Sequence, residues 1–219
     1  MTIPFEGIVY RKPNELRPWS QTDSNYATNP NTRKSVTGNV HTLGGTLTGW
    51  TSHNQSIVSL SLTESEYISL TKGAQEVQFG LNLLDELLGE SETVRPGELY
   101  GDNMGSLFLS QNAQVGPRTK HVDTRHHFLR QMVSKRDLDT QYVRTELNTS
   151  DVLTKNLSEK DHLRHSATLR NGKLGSWRED VRRLLSRSIP ATMLNKRGGS
   201  VNNDHSNDLD GKAHMEQRG

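Results

Sequence analysis

The spacing of apolar residues changes near residue 60, and this change restricts the chain to folds that combine a sheet with helices. The segments before it are short, rich in Val, Thr, Tyr and Trp, and separated by Asn, Pro and Gly; they are 7–12, 16–26, 35–45 and 46–52. This composition predicts strands. Gly44 and Gly45 lie between the last two segments and predict a tight hairpin turn.

After the change, apolar residues recur at steps of three and four, at Leu70, Ala74, Val77, Leu81, Leu84 and Leu88. This stripe predicts an amphipathic helix that ends near Gly89. Further along we expect a short strand, two helices, a second strand and a last helix, at 98–102, 104–111, 121–135, 138–147 and 150–168. Strands that alternate with helices in this way predict a mixed α/β fold.

The chain of 219 residues has 31% hydrophobic residues and a mean hydropathy of -0.78. This is lean for a chain that is folded throughout, so we expect one folded domain and a disordered tail. We place the domain at 5–170 and a basic tail at 171–219. Within the tail, 176–188 could form one short amphipathic helix, whereas 196–219 lacks any apolar period.

The composition also excludes several kinds of site. The chain contains no cysteine, so it has neither disulfides nor thiolate metal ligands. Its first residues lack the pattern of a signal peptide, and no apolar run reaches the length of a membrane span. We therefore expect a protein that is not secreted and has no membrane partner. The net charge of +2 does not by itself indicate a nucleic-acid partner.

Four acidic residues in different local settings are candidates for a common site: Asp23, Glu66, Asp102 and Asp151. Each also has an ordinary structural interpretation, as a turn residue, a helix cap or a favourable charge at a helix start. If the fold brought them together, they would repel one another unless hard divalent cations lay between them. Carboxylates around Mg²⁺ are suited to hydrolysing a phosphodiester.

Glu66 offers a test of these alternatives, because two capping boxes overlap here. Ser61 with Glu64 is one, and Thr63 with Glu66 is the other. Glu66 lies four residues before Leu70 and shares the apolar stripe of the helix. We therefore expect Glu64 to cap the helix and Glu66 to point inward, where a buried carboxylate needs a partner such as a metal ion.

Five segments occur in a characteristic order: TDSNYATNPNTRKSVTG, SLSLTESEYISL, YGDNMGSLFLSQN, PRTKHVDTRHHFLRQMV and SDVLTKNLS. In this order they resemble the ribonuclease H domain at the end of the Pol polyprotein of Ty1/copia-type LTR retrotransposons. The resemblance runs from about Gly7 to about Leu169. It implies a ribonuclease H-like mixed five-stranded sheet flanked by helices, with the disordered tail following it.

The resemblance also implies an activity, namely metal-dependent hydrolysis of the RNA strand of RNA–DNA hybrids during reverse transcription. It makes the four acidic residues both catalytic residues and ligands of two Mg²⁺ ions, for which Mn²⁺ could substitute. Weaker candidates for substrate contact are Asn103, Ser106, Arg118 and Lys120. The implied partners are the hybrid and the reverse transcriptase domain of the parent polyprotein. The implied locations are the cytoplasm, virus-like particles or the nucleus.

The sequence departs from the family at the first aspartate, where the commoner wording is D-x-D-W-A-G. Asn25 and Tyr26 replace the second acidic residue and the Trp. An alternative function therefore stays open, a truncated or degenerate Pol remnant that binds nucleic acid without catalysis. The histidines at 121, 126 and 127 could be metal ligands, but they lack a zinc-binding pattern and are better explained as solvated or facing nucleic acid.

Overall fold

The computed structural model describes residues 7–112 and 123–171, which form a mixed five-stranded sheet with helices packed on it. The strands are β1 (Pro18–Asn25), β2 (Val36–Leu43), β3 (Thr46–Asn54), β4 (Gly97–Gly101) and β5 (Leu138–Tyr142). Their order across the sheet is β3-β2-β1-β4-β5. The first three strands pair antiparallel, and β4 is parallel to both β1 and β5. The predicted mixed five-stranded sheet flanked by helices is confirmed.

The hairpin between β2 and β3 turns at the predicted glycines. Gly44 and Gly45 have φ angles of 60° and 81°, a conformation that suits two-residue hairpin turns and that residues with a Cβ atom rarely adopt. The pairing register shifts between His41 and Thr42. The tight turn at the two glycines joins β2 directly to β3, which is an edge strand of the sheet.

In the described part of the chain, four α-helices accompany the sheet: α1 (Leu62–Leu88), α2 (Met104–Gln111), α3 (Asp123–Ser134) and α4 (Glu159–Arg170). The first of them supplies the crossover that the parallel pair β1 and β4 requires. It begins at Ser61, whose hydroxyl accepts from the Glu64 amide, and it ends at Gly89. No helix among the described residues is both long and apolar enough to cross a membrane.

The predicted stripe of α1 is buried from Leu70 to Leu84, whereas Leu88 at the end of the helix is exposed. Leu70, Ala74, Val77 and Leu81 belong to a core cluster that also contains residues of β4, β5 and α3. A Cβ atom on Gly73 would lie 2.5 Å from Thr22 Cγ2 and 2.6 Å from Leu99 Cδ1. The missing side chain therefore lets α1 pack closely over β1 and β4.

A second core cluster contains Trp19 of β1, which lies on the opposite face of the strand from Ser20 and Thr22 beside Gly73 of α1. Trp19 packs edge-on against Tyr100, with ring centroids 5.7 Å apart. Val40, Leu47 and Val143 complete the buried part of this cluster. The two clusters hold the sheet between them, so that its central strand β1 is buried along most of its length.

Three predicted elements differ from the structure. The segment 7–12 is not a strand, because the Val9 amide donates to the carbonyl of Arg170 at the end of α4 instead of to a neighbouring strand. The last strand ends at Tyr142 rather than at 147. The helix expected at 150–168 is two elements, a 3-10 helix at Thr149–Leu153 and α4, which begins at its own N-cap Ser158. The proposed tail helix at 176–188 lies outside the described residues.

Candidate metal centre

Asp23 lies on the central strand β1 and is fully buried. Its Oδ1 atom accepts from Lys155 Nζ at 3.0 Å, and its Oδ2 atom accepts from the Thr154 hydroxyl. On the neighbouring strand β2 it faces Gly38. Burying a carboxylate in the middle of a sheet costs free energy unless the carboxylate is paired. The two partners of Asp23, Thr154 and Lys155, directly follow the 3-10 helix Thr149–Leu153.

Asp102 directly follows the last residue of β4. Because β1 and β4 are parallel, their carboxyl ends lie at one edge of the sheet, where α/β proteins commonly form their sites. Asp102 is partly exposed, and its Oδ2 atom accepts from the Thr145 hydroxyl at 2.8 Å. Its side chain therefore stands at the opening of the site and not in the core.

Asp151 belongs to the 3-10 helix Thr149–Leu153, which buried amide side chains attach to β1. Gln21 accepts from the Thr149 amide at 3.0 Å and donates to the carbonyl of Leu147 at 3.2 Å. Asn148 donates to the carbonyl of Thr22 at 2.9 Å. These bonds fix the segment beside the strand that carries Asp23, although the two are far apart in sequence.

The structure brings three of the four predicted acidic residues into one cluster. One carboxylate oxygen from each of Asp23, Asp102 and Asp151 lies within 4.8 Å of the other two. Glu66 is not a member of this group, but it lines the adjoining cleft together with Asp102 and Lys155. This cleft has a volume of about 330 Å³. All four carboxylates therefore face one region, with Glu66 at its side.

Glu66 points inward, as its position on the stripe of α1 predicts, and it is 5% exposed. Glu64 points away from the cleft, since its carboxylate accepts from the Leu60 amide at 2.7 Å. Ser61 accepts from the Glu64 amide at 3.1 Å. The pair Ser61 and Glu64 therefore caps the helix, with Glu64 bonding the residue before the N-cap, and this leaves Glu66 available to the cleft.

Burial and repulsion between carboxylates raise the pKa values of Glu66, Asp23 and Asp151. Burial, followed by the charges of Asp23 and Asp102, raises the pKa of Glu66 to about 9. Burial and the charge of Asp151 raise the pKa of Asp23 to about 7, although Lys155 opposes this rise. Burial likewise raises the pKa of Asp151. The protein thus holds these groups close together without enough positive charge to balance them.

Lys155 is the residue of this centre that sequence reasoning missed. Its ammonium group lies 3.0 Å from Asp23 Oδ1 and 3.0 Å from Asp151 Oδ1. The signal was present in the segment SDVLTK, where Lys155 follows Asp151 by four residues, a spacing typical of ion pairs. The contact with Asp23 could not be seen from spacing, because it depends on the fold.

The donor set fits a hard divalent cation. Every candidate ligand atom is a carboxylate oxygen, the class of ligand that Mg²⁺ and Ca²⁺ prefer. The raised pKa values of Asp23 and Glu66 have electrostatic repulsion among their causes, and a bound cation would relieve that repulsion. Asp23, Asp102 and Asp151 are the residues placed to share one ion, and Glu66 lines the adjoining cleft.

The predicted substrate-contact residues have different positions. Asn103 lines the cleft, and its side chain caps α2 by accepting from the Ser106 amide at 2.9 Å. Ser106 is buried, and its hydroxyl donates to the carbonyl of Asn103, so it contributes to the cap rather than to the cleft surface. Arg118 and Lys120 lie outside the described residues, as does His121.

Comparisons with known proteins show that the chain is similar to Pol polyproteins of transposons. The chain is 38% identical over 135 residues to the retrovirus-related Pol polyprotein from transposon TNT 1-94 of Nicotiana tabacum, a match that covers 61% of the chain. It is 34% identical over 155 residues, 71% of the chain, to the Pol polyprotein from transposon RE1 of Arabidopsis thaliana. The matched part is about 10% of the length of each relative.

More distant similarity extends to yeast and to solved structures. The Gag-Pol polyprotein of transposon Ty1-JR2 from Saccharomyces cerevisiae is 26% identical over 157 residues, 70% of the chain and 9% of that protein. Among solved structures, LC11-RNase H1, isolated from compost, aligns with a TM-score of 0.45 at 16% identity and covers 64% of this chain and 93% of that one. No protein-family model matches the chain.

Proposed function

Because the chain belongs to the Pol polyproteins of Ty1/copia-type transposons, we propose that it is a ribonuclease H that hydrolyses the RNA strand of RNA–DNA hybrids. The observation that carries the proposal is the convergence of Asp23, Asp102 and Asp151, with one oxygen of each within 4.8 Å of the others. The matched relatives are much longer than this segment, so the activity of the whole polyprotein is not assigned to it.

The four carboxylates would hold two Mg²⁺ ions, and Mn²⁺ could substitute for Mg²⁺. When bound, such ions supply an activated water and stabilise the leaving oxygen in phosphodiester hydrolysis. The protein's own contribution is to fix the ligands. Asp23 is fixed by the sheet, Asp102 by the Thr145 hydroxyl, and Asp151 by a 3-10 helix attached through Gln21.

The burial of the ligands matters for the chemistry. Asp23 and Asp151 are almost entirely buried, while Asp102 and Lys155 are partly exposed on the cleft. Electrostatic interactions are stronger where water is excluded, so a cation held here would interact strongly with a phosphate that enters from the cleft. Asn103 lies on that surface and is a candidate to contact the substrate.

Arg118 and Lys120 would contact the phosphates of the hybrid. Such contacts fix the register of a nucleic acid without reading its bases. RNA would be distinguished from DNA through its 2′-hydroxyl groups. The segment would act together with a reverse transcriptase domain, in the cytoplasm, in virus-like particles or in the nucleus.

A direct test is cleavage of a hybrid that carries an end-labelled RNA strand, by the purified chain in Mg²⁺. We expect fragments of the RNA strand, no cleavage of the DNA strand, and no cleavage after addition of EDTA. The same RNA in a single-stranded form and in an RNA–RNA duplex serves as the control. Hybrid binding without any cleavage would contradict the proposal. It would favour the alternative of a non-catalytic Pol remnant, which is suggested by Asn25 and Tyr26 in place of the family's Asp and Trp.

A further inference from the structure

Lys155 lies at the centre of the carboxylate cluster, where it makes two ion pairs at equal distance. Its Nζ atom is 3.0 Å from Asp23 Oδ1 and 3.0 Å from Asp151 Oδ1. The side chains of these partners are 1% and 7% exposed, whereas that of Lys155 is 32% exposed. The ammonium group thus bridges two buried carboxylates from the open side of the site.

The position of the ammonium is fixed by the same turn that carries Asp151. The Lys155 amide donates to the carbonyl of Asp151 at 3.0 Å, and Thr154 hydrogen-bonds both that carbonyl and the Asp23 carboxylate. The lysine therefore extends from a backbone that is already attached to the site.

The ammonium group and a divalent cation would both bind the carboxylates of Asp23 and Asp151, so they would compete for the same two side chains. Lys155 is the one cationic side chain among the described residues that line the cleft. Its single charge can balance only part of the negative charge of the four carboxylates, which leaves the site attractive to a divalent cation.

We propose that Lys155 is a competitor built into the metal centre, whose ammonium must leave Asp23 and Asp151 before a divalent cation can bridge them. This inference rests on the proposed function, since it concerns the loading of the same site. Of the two cations of the proposed function, one held by Asp23 and Asp151 would therefore bind more weakly, because it must replace the two ion pairs of Lys155.

The test measures Mn²⁺ binding to the full chain by isothermal titration calorimetry and by the loss of the free Mn²⁺ signal in electron paramagnetic resonance. Lys155→Met removes the charge and keeps the length of the side chain. We expect it to bind the weaker Mn²⁺ ion about tenfold more tightly or better, in line with the effect of one adjacent charge on an ionic equilibrium. Lys155→Arg keeps the charge and should stay close to the wild type.

Lys160→Met is the matched control, because Lys160 is an exposed lysine in the first turn of α4. It should leave both Mn²⁺ affinities unchanged. If Lys155→Met does not fold without a cation, Lys155→Gln replaces it, since the amide still donates one hydrogen bond without a charge. Mn²⁺ affinities of a folded uncharged variant that equal those of the wild type would overturn the inference.

Failure of this inference can be separated from failure of the proposed function, since neither measurement uses a hybrid. A wild-type chain that cleaves hybrids, combined with an uncharged variant of unchanged Mn²⁺ affinity, would count against the role of Lys155 alone. A wild-type chain that binds Mn²⁺ in two unequal steps but does not cleave hybrids would count against the ribonuclease activity. In that case tighter binding by Lys155→Met would still support the competition.

Discussion

A Cβ atom on Gly38 would lie 2.5 Å from Thr154 Cγ2, so the sheet and the turn that carries Asp151 are in direct contact at this point. The same atom would come within 3.0 Å of Leu153 Cβ and of the Ser150 carbonyl oxygen. Gly38 is also the residue of β2 that faces Asp23. The absence of a side chain here is what allows the 3-10 helix to reach the strand that holds the first aspartate.

Gly38→Ala should therefore weaken both the fold and the metal centre. The added methyl group forces the turn away from the sheet, which should lower the free energy of unfolding by about 1–3 kcal/mol. The displaced Asp151 should also reduce Mn²⁺ affinity. Gly49→Ala is the control, because its Cβ would have no neighbour closer than His41 Cδ2 at 3.5 Å. Equal denaturation midpoints and Mn²⁺ affinities for the two variants would contradict this account of the contact.

Asp102→Asn should remove hybrid cleavage with little effect on folding. The amide keeps the size of the side chain and can still accept from the Thr145 hydroxyl, a bond of 2.8 Å in the structure, but it loses the charge that holds a divalent cation. We expect the initial rate of hybrid cleavage to fall about a hundredfold or more. Asp139→Asn, at a partly exposed position on β5, should retain the wild-type rate. An Asp102→Asn protein as active as the wild type would remove Asp102 from the site.

The stability of the metal-free protein should fall as the pH rises above neutrality. The pKa of Glu66 is raised from 4.5 to about 9, so the folded state keeps a proton that the unfolded state has already released. The contribution of such a group to stability is fully present below its pKa in the unfolded state. It is lost as the pH rises through its pKa in the folded state. Urea denaturation in EDTA should therefore give a free energy of unfolding that decreases between about pH 7 and pH 9.

The change in stability above pH 7 reports on the carboxyl groups. His41 and His165 have lowered pKa values, so they affect stability at lower pH, where they make it rise with pH instead of fall. Glu66→Gln should flatten the decrease, since the amide does not titrate. Saturating Mn²⁺ should flatten it as well, because a bound cation favours the ionised carboxylates. A wild-type profile that is flat in EDTA would mean that Glu66 is not held in the uncharged form.

Gln21→Leu should destabilise the protein more than a surface change of the same kind. The substitution leaves the buried Thr149 amide and the Leu147 carbonyl without the partners that hold them at 3.0 Å and 3.2 Å. Buried groups left unpaired in this way should lower the free energy of unfolding by about 2–4 kcal/mol. Gln78→Leu should have a much smaller effect, because the amide of Gln78 donates only to the exposed side chain of Asn82 on α1. Similar midpoints in urea for the two variants would show that Gln21 does not anchor the 3-10 helix.

The features that local chemistry determines could be predicted from the sequence. The Gly44–Gly45 turn, the Ser61 cap and the helix Met104–Gln111 all occur where the spacing and turn residues place them. The inward direction of Glu66 also followed from its place on an apolar stripe. Each of these depends on residues within a few positions of one another, so a single sequence contains the necessary information.

The features that the sequence did not reveal depend on contacts between distant segments. The region expected to form one helix at 150–168 breaks into a 3-10 helix and α4, because Gln21 and Asn148 bind its first part to β1. The contact between Lys155 and Asp23 has the same origin. Side chains from β1 decide both outcomes, and nothing in the local pattern near Asp151 indicates which strand it will meet.

The pairing of β1 with the turn after β5 also decides when the centre can form during synthesis. Asp23 and Lys155 are 132 positions apart, and the strands and helices between them must emerge first. A nascent chain that ends after β4 contains Asp23 and Asp102 but not the turn that completes the cluster. On the ribosome, the candidate cation site therefore forms only after the turn that follows β5 has emerged, and shortened translation products that stop before Asp151 would lack the complete carboxylate cluster.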